Sequence, residues 1–120
     1  MSHVILVVDD DRSVRASTMR LLIARGYTAF EATSAIEAVA KAGELLPAAI
    51  LMDLHMHPSS GLEAARQIKS QATLANIPII ALSATPPPPD DEALQLFHAV
   101  LAKPCPSDQI VAAIEAALRS

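Results

Sequence analysis

Short apolar runs alternate with amphipathic stretches along the whole chain. A run of four or five mostly aliphatic residues, bounded by polar or turn residues, is typical of a strand buried in a sheet. Such runs cover residues 4–8, 48–52, 78–82 and 99–102, and a weaker one covers residues 28–31. Between them, apolar residues recur at intervals of three and four, as on the buried face of a helix. The pattern predicts five strands that alternate with five helices.

Polar residues at the borders of the amphipathic stretches predict where the helices begin and end. Residues 34–37 and 60–63 read Ser-x-x-Glu. This is a capping box, in which the serine hydroxyl and the glutamate carboxylate accept hydrogen bonds from free amides of the first turn. Asp11 is expected to cap the first helix and Ser107 the last, and Gly26 follows the first helix as its C-terminal cap.

The alternation of strands and helices predicts an α/β fold. Strands that are apolar throughout are typical of a parallel sheet, since helical crossovers cover both of its faces. The chain has 120 residues, a length typical of one domain, and no linker or repeat divides it. We therefore expect a single domain over residues 1–120, built on a doubly wound parallel sheet with helices on both faces.

Chemically reactive side chains follow four of the five predicted strands. Asp9–Asp11 come after the first strand, Asp53 after the third, Ser83 after the fourth and Lys103 after the fifth. In open parallel sheets, ligands bind at the carboxyl ends of the strands, where these residues would meet. Two like charges at about 4 Å repel by roughly 4 kcal/mol near a protein surface. A hard cation such as Mg²⁺, which prefers oxygen ligands, would offset this repulsion.

The same set of residues suits phosphoryl chemistry. Asp53 could act as the nucleophile and form an aspartyl phosphate. The Lys103 ammonium would pair with Asp53 when the site is empty and with phosphoryl oxygens when it is filled, while the Ser83 hydroxyl would donate to another of those oxygens. Any one of these residues could be a helix cap or a solvated strand end. It is the presence of all of them at strand ends that indicates a site.

Composition narrows the classes of function. Hydrophobic residues make up 52% and aromatic residues 2% of the chain, so an aliphatic core is expected. The net charge of −4 argues against direct binding of nucleic acid or of an anionic membrane surface, and no apolar run is long enough to span a bilayer. The first residues lack the features of a signal peptide, which favours a cytoplasmic protein. Cys105, the only cysteine, is interpreted as a packing residue.

The motifs "VVDD", "MDL" around Asp53, the strand-end Ser83 and the final "KP" resemble the receiver domain of bacterial two-component response regulators. The resemblance covers the entire chain and implies a flavodoxin-like strand order of 2-1-3-4-5. It implies a signalling domain, not an enzyme, whose only chemistry is self-catalysed phosphoryl transfer and hydrolysis. The phosphoryl donor would be a phosphohistidine on a sensor histidine kinase or a histidine phosphotransfer protein, and the output would go to a downstream protein that the sequence does not identify.

The resemblance also implies roles for the acidic residues. Asp53 would be the phosphoacceptor and would share a magnesium ion with Asp10, which binds it directly, and with Asp9, which assists, often through water. The backbone carbonyl of His55 would be a further metal ligand. The side chains of His55 and His57 lie beside the phosphorylation site and could tune hydrolysis, although exposed loop positions are the simpler interpretation.

The chain departs from the family pattern at the expected output face. Ser83 corresponds to the hydroxyl that shifts toward the phosphoryl group, and Lys103 to the lysine of the family pattern. Three residues before that lysine, family members usually carry Tyr or Phe, but this chain has Val100, and Pro86–Pro89 occupy the loop after the fourth strand. We therefore expect an atypical output, in which the loop that holds Ser83 and Thr85 is the switching element.

Three alternative functions can be compared with this interpretation of the sequence. One is a scaffold of the same fold that is never phosphorylated. Another is a phosphatase that resembles the haloacid dehalogenases, with Asp9 as nucleophile and Asp11 as acid/base. Those enzymes need a further acidic pair, and beyond Lys103 the chain offers only Asp108 and Glu115, both on the last predicted helix. A flavin-binding module is disfavoured, since the acidic triplet would repel the flavin phosphate.

Overall fold

Five parallel strands form one sheet in the computed structural model, which describes residues 3–86 and 90–119. Its strands are β1 (Val4–Val8), β2 (Thr28–Ala32), β3 (Ala49–Asp53), β4 (Ile79–Ser83) and β5 (Ala99–Ala102). The order across the sheet is β2-β1-β3-β4-β5, and every neighbouring pair is parallel. The doubly wound sheet and its predicted order are confirmed.

The helices connect successive strands and cover both faces of the sheet. They are α1 (Arg12–Ala24), α2 (Ala35–Leu45), α3 (Gly61–Lys69), α4 (Asp91–Leu96) and α5 (Ser107–Arg119). Helices α1 and α5 contribute buried residues to the core on one face, and α2, α3 and α4 to the core on the other. This arrangement leaves the carboxyl ends of the strands open at one edge of the sheet.

Successive residues of each central strand point to opposite faces, so the sheet divides two aliphatic cores. Leu6 and Val8 of β1 face the core under α2 and α3, while Ile5 and Val7 face the core under α1 and α5. The predicted aliphatic core is confirmed, and Phe97 is buried in the first of these cores. Both cores fix the strands, and therefore the ends of the strands, against the helices.

The predicted N-terminal caps of three helices are present. Asp11 Oδ1 accepts from the backbone N–H of Val14 at 3.0 Å, and the Ser34 and Ser60 hydroxyls each accept from an N–H three residues later at 3.2 Å. The glutamate of the first capping box reaches one residue further back than expected, because Glu37 Oε1 accepts from the N–H of Thr33 at 2.7 Å.

The prediction that Ser107 caps α5 is wrong. Ser107 is the first residue of the helix. The preceding Pro106 supplies the carbonyl that accepts from the N–H of Gln109 at 3.0 Å. Pro106 therefore stands at the position before the first helical residue, and the helix begins one residue earlier than the serine signal indicated.

Strands β3 and β4 each extend one residue beyond the predicted boundary. Asp53 and Ser83 are therefore the last residues of their strands and pair in the ladder with Leu82 and Ala102, respectively. The backbone of both residues is held by the sheet, which fixes where their side chains start. Of the proline run after β4, residues 87–89 lie outside the described residues.

Candidate functional site

The register of the sheet brings Asp9 and Asp53 together. Val8 of β1 pairs with Met52 of β3. Because the two strands are parallel, the next residues along the chain, Asp9 and Asp53, are neighbours at the carboxyl edge. Both side chains are buried, with Asp9 3% and Asp53 4% exposed. Burial of two like charges side by side is unfavourable unless positive charge faces them.

Asp10 completes a cluster of three carboxylates. One carboxylate oxygen from each of Asp9, Asp10 and Asp53 lies within 4.8 Å of the others, and Asp10 is on the exposed side of the cluster. The predicted convergence of these acids is therefore present. Asp11 does not belong to the cluster, because its carboxylate caps α1.

This donor set suits a magnesium ion. Mg²⁺ binds oxygen atoms at about 2.0–2.1 Å in an octahedron, whose adjacent corners are about 2.9 Å apart and whose opposite corners are about 4.2 Å apart by that geometry. The three carboxylate oxygens lie within 4.8 Å of one another, so they would move closer together around a bound ion. The open side at Asp10 leaves room for the waters that magnesium keeps.

Lys103 supplies the positive charge that faces the two buried acids. Its Nζ lies 3.1 Å from Asp9 Oδ2 and 3.4 Å from Asp53 Oδ1. Its backbone N–H donates to the carbonyl of Ser83 at 2.9 Å, which fixes the residue just after β5. Burial lowers the pKa of Lys103, but the hydrogen bond and the charge of Asp9, followed by those of Asp53, outweigh it and raise the pKa above its usual value. The ammonium therefore stays charged.

The carboxyl group of Asp53 is more basic than an exposed aspartate. Burial raises its pKa, and the negative charge of Asp9 adds to this effect. A backbone hydrogen bond from His55, at 3.0 Å to Oδ1, and the charge of Lys103 oppose the rise without cancelling it. The site thus holds an electron-rich carboxylate that further positive charge would stabilise.

The Ser83 hydroxyl is fully buried and has two hydrogen-bond partners. The backbone N–H of Thr85 donates to Ser83 Oγ at 3.1 Å, and His55 Nε2 lies 2.8 Å from the same oxygen. His55 is an exposed loop residue, as expected from the sequence, but the contact of its ring with Ser83 was missed. The one available signal was its position two residues after Asp53.

A close contact positions the loop between β3 and α3. A Cβ atom on Gly61 would lie 2.1 Å from the backbone oxygen of Asp53, so only glycine fits at this first residue of α3. The N–H of Gly61 donates to the carbonyl of Leu54 at 3.2 Å. These contacts hold the start of α3 against the end of β3 and close residues 54–60 into a short loop.

Arg15 is a second cation near the acids that the sequence did not reveal. Its Nη1 donates to the backbone carbonyl of Asp9 at 2.9 Å, and its Nε pairs with Glu31 at 2.6 Å. The guanidinium therefore ties α1 and β2 to the residue that follows β1. It braces the backbone of Asp9 and does not contact the carboxylate cluster through any described hydrogen bond.

The geometry does not support the phosphatase alternative. The Asp11 carboxylate accepts from the N–H of Val14 and so serves as a helix cap. Asp108 and Glu115 are both exposed on α5, and Glu115 Oε2 lies 3.8 Å from Arg119 Nη1.

Among the described residues, no helix is both long enough and apolar enough to cross a membrane.

A family model described as the response regulator receiver domain matches residues 5–115. Among curated proteins, the chain is similar to the response regulator MprA of Mycobacterium ulcerans, with 43% identity over 84 residues. That match covers 70% of this chain and 35% of the relative, so the chain spans about a third of the length of the curated proteins that it matches.

Solved structures show the same likeness over the whole chain. One is the receiver domain of the sensor histidine kinase PA1611 from Pseudomonas aeruginosa, which has a magnesium ion coordinated in its active-site cleft. Its TM-score with this chain is 0.90 at 30% identity, and the match covers 100% of both chains. The response regulator TrrA of Thermotoga maritima, in complex with Mg²⁺ and beryllofluoride, has a TM-score of 0.88 and 26% identity over 98% of this chain and 100% of that one.

The family match runs from β1 into α5 and includes all four strand ends that carry the acids, the hydroxyl and the ammonium. This chain belongs to the family of response regulator receiver domains.

Proposed function

We propose that this receiver domain accepts a phosphoryl group on Asp53. The observation that carries the proposal is the placement of a buried, basic carboxylate beside two further acids and 3.4 Å from the Lys103 ammonium. The donor would be a phosphohistidine on a sensor histidine kinase or a histidine phosphotransfer protein. We propose no reaction on a separate substrate; the phosphoryl group would leave again by hydrolysis.

Asp9, Asp10 and Asp53 would hold magnesium, together with the backbone carbonyl of His55. When bound, the ion would neutralise the carboxylates and the phosphoryl oxygens, which lowers the repulsion between the nucleophile and its target. Aspartates are the appropriate ligands, since magnesium binds hard oxygen donors and keeps part of its water shell.

The transfer itself needs a nucleophile and fixed positive charge. A carboxylate oxygen of Asp53 would form a bond to phosphorus as the phosphorus–nitrogen bond of the donor breaks, and the electron pair would return to the donor imidazole. Lys103 would exchange its ion pair with Asp53 for one with a phosphoryl oxygen. The Ser83 hydroxyl would turn and donate its proton to another phosphoryl oxygen.

Intact mass after incubation with magnesium and a small phosphodonor tests this function. We expect the wild-type chain to gain one phosphoryl group and the Asp53→Asn variant to gain none. Asp11→Asn is the matched control, because the amide oxygen can still cap α1 and we expect labelling to persist. Labelling that maps to Asp9 and depends on Asp11 would instead identify a phosphatase, and a wild-type chain that is never labelled would identify a scaffold.

The partners and the cellular setting are part of the proposal. The chain is similar to the response regulator MprA over about a third of the length of that protein. We propose that phosphorylation changes its contacts with a downstream protein and that it does not bind nucleic acid itself. The single domain over residues 1–120 and the cytoplasmic location stay predictions.

A further inference from the structure

Three hydrogen bonds connect the proposed phosphoacceptor to the loop after β4. The N–H of His55 donates to Asp53 Oδ1 at 3.0 Å. The ring of the same residue places Nε2 2.8 Å from Ser83 Oγ, and the N–H of Thr85 donates to that oxygen at 3.1 Å. His55 is thus anchored through its backbone at one strand end and through its ring at the next.

The Ser83 hydroxyl cannot donate its proton to His55 and to a phosphoryl group at the same time. A serine hydroxyl has one proton to donate and two acceptor positions, and Thr85 uses one of these. The backbone of Ser83 is held in the sheet, so its oxygen moves only by rotation of the side chain. In the tautomer in which His55 Nε2 accepts the hydroxyl proton, donation of that proton to a phosphoryl oxygen on Asp53 therefore breaks the bond to His55.

Family members usually have an aromatic ring at the position of Val100. This chain has no ring there that could move when the Ser83 side chain rotates. Val100 pairs with Ala81 in the ladder and is 37% exposed, and its short side chain ends at Cγ. Among the described residues, the side chain that is hydrogen-bonded to the Ser83 hydroxyl is that of His55.

We propose that the His55 side chain is a positioning residue that holds the Ser83 hydroxyl in the unphosphorylated state and is released when the hydroxyl turns to the phosphoryl group. Release frees the ring near the start of the 54–60 loop. This loop, and not the face around Val100, then carries the signal. The inference rests on the proposed function, because it needs a phosphoryl group on Asp53.

Titration with beryllofluoride and magnesium, a mimic of the phosphoryl group, tests the inference when followed by amide NMR shifts. Loss of one competing neutral hydrogen bond is expected to tighten binding by about twofold to tenfold in His55→Ala. The variant keeps the backbone carbonyl and the backbone N–H. In His55→Gln, the side-chain amide reaches the place of Nε2, so we expect binding close to that of the wild type. His57→Ala, an exposed neighbour, is the matched control and should not change binding.

A double variant distinguishes an effect of His55 through the Ser83 hydroxyl from a general effect of His55 on the 54–60 loop. With Ser83→Ala already present, the added His55→Ala substitution should have no further effect on beryllofluoride binding, because the hydroxyl that it acts through is gone. An equal effect in both backgrounds, or wild-type binding in His55→Ala alone, would overturn the inference and leave the proposed function intact. Failure of the wild-type chain to bind the mimic would overturn both.

Discussion

The reactivity of Asp53 comes from its neighbours. Its carboxylate lies at the end of a buried strand, beside another buried acid and opposite one ammonium group. Burial and the charge of Asp9 raise the pKa of the carboxyl group, whereas the His55 backbone N–H and the Lys103 ammonium oppose the rise without cancelling it. A nucleophile of this kind costs stability in the folded chain, and that cost can be measured.

The stability of an Asp53→Asn variant should depend on pH relative to the wild type. Because burial raises the pKa of Asp53, the folded chain binds this proton more tightly than the unfolded chain. The contribution to stability is then complete below the ordinary carboxyl pKa and is lost as the pH rises through the folded value. The asparagine side chain of the variant keeps an amide oxygen for the N–H of His55 and carries no charge. In urea unfolding, we expect the free energy of unfolding of the variant, relative to that of the wild type, to rise from acid to neutral pH. A difference that stays constant or falls over this range would contradict the prediction.

Removal of the Lys103 ammonium should destabilise the domain at neutral pH. Lys103→Met keeps an apolar stem of similar length but leaves Asp9 and Asp53 facing each other without a counter-charge. Loss of one partner from a buried ion pair is strongly unfavourable, and because Lys103 is a quarter exposed we expect a discounted cost of about 1–3 kcal/mol in urea unfolding. Arg119→Met, which removes an exposed cation, should cost less than about 0.5 kcal/mol. Equal costs for the two variants would contradict the role given to Lys103.

At the scale of elements, the site depends on how closely α3 approaches the end of β3. The helix starts at Gly61, directly against the backbone oxygen of Asp53. The Ser60 hydroxyl caps the same turn. The helix start and the strand end therefore form one unit, and the loop between them is not free to drift from the site.

A methyl group at position 61 should disrupt this unit. In Gly61→Ala the new Cβ would lie 2.1 Å from a backbone oxygen, which cannot yield as the end of a side chain can. We expect a loss of about 1–3 kcal/mol or more in urea unfolding, as for other overpacked sites. Gly43→Ala is the matched control, since this helical glycine has open space around it and should gain about 0.5–1 kcal/mol. A neutral Gly61→Ala would show that α3 can move away from β3 without cost.

At the scale of the molecule, the architecture could be predicted because it depends on patterns that are local in sequence. Continuous apolar runs such as Val4–Val8 define strands, and parallel strands bring Asp9, Asp53, Ser83 and Lys103 to one edge whatever the rotamers are. The cap at Asp11 was also predicted correctly, because a cap depends on residues only three positions apart.

The contacts that were missed depend on side-chain conformations across loops. The pairing of Lys103 with Asp9 is shorter than the expected one with Asp53, and nothing in the spacing ranks the two acids. The contact of the His55 ring with Ser83 joins the loop after β3 to the end of β4 and depends on the rotamer of His55. The start of α5 at Ser107 was misplaced because a serine can stand at either of two adjacent positions.

The ammonium at 103 belongs to the last strand, whereas the acids that it neutralises belong to the first and the third. During translation, a nascent chain therefore holds its carboxylates without their counter-charge until the fifth strand has left the ribosome. A phosphoryl donor that met such a chain would find Asp53 without the Lys103 ammonium beside it. If Asp53 is phosphorylated as proposed, the reaction would then require that the fifth strand has been made and has joined the sheet.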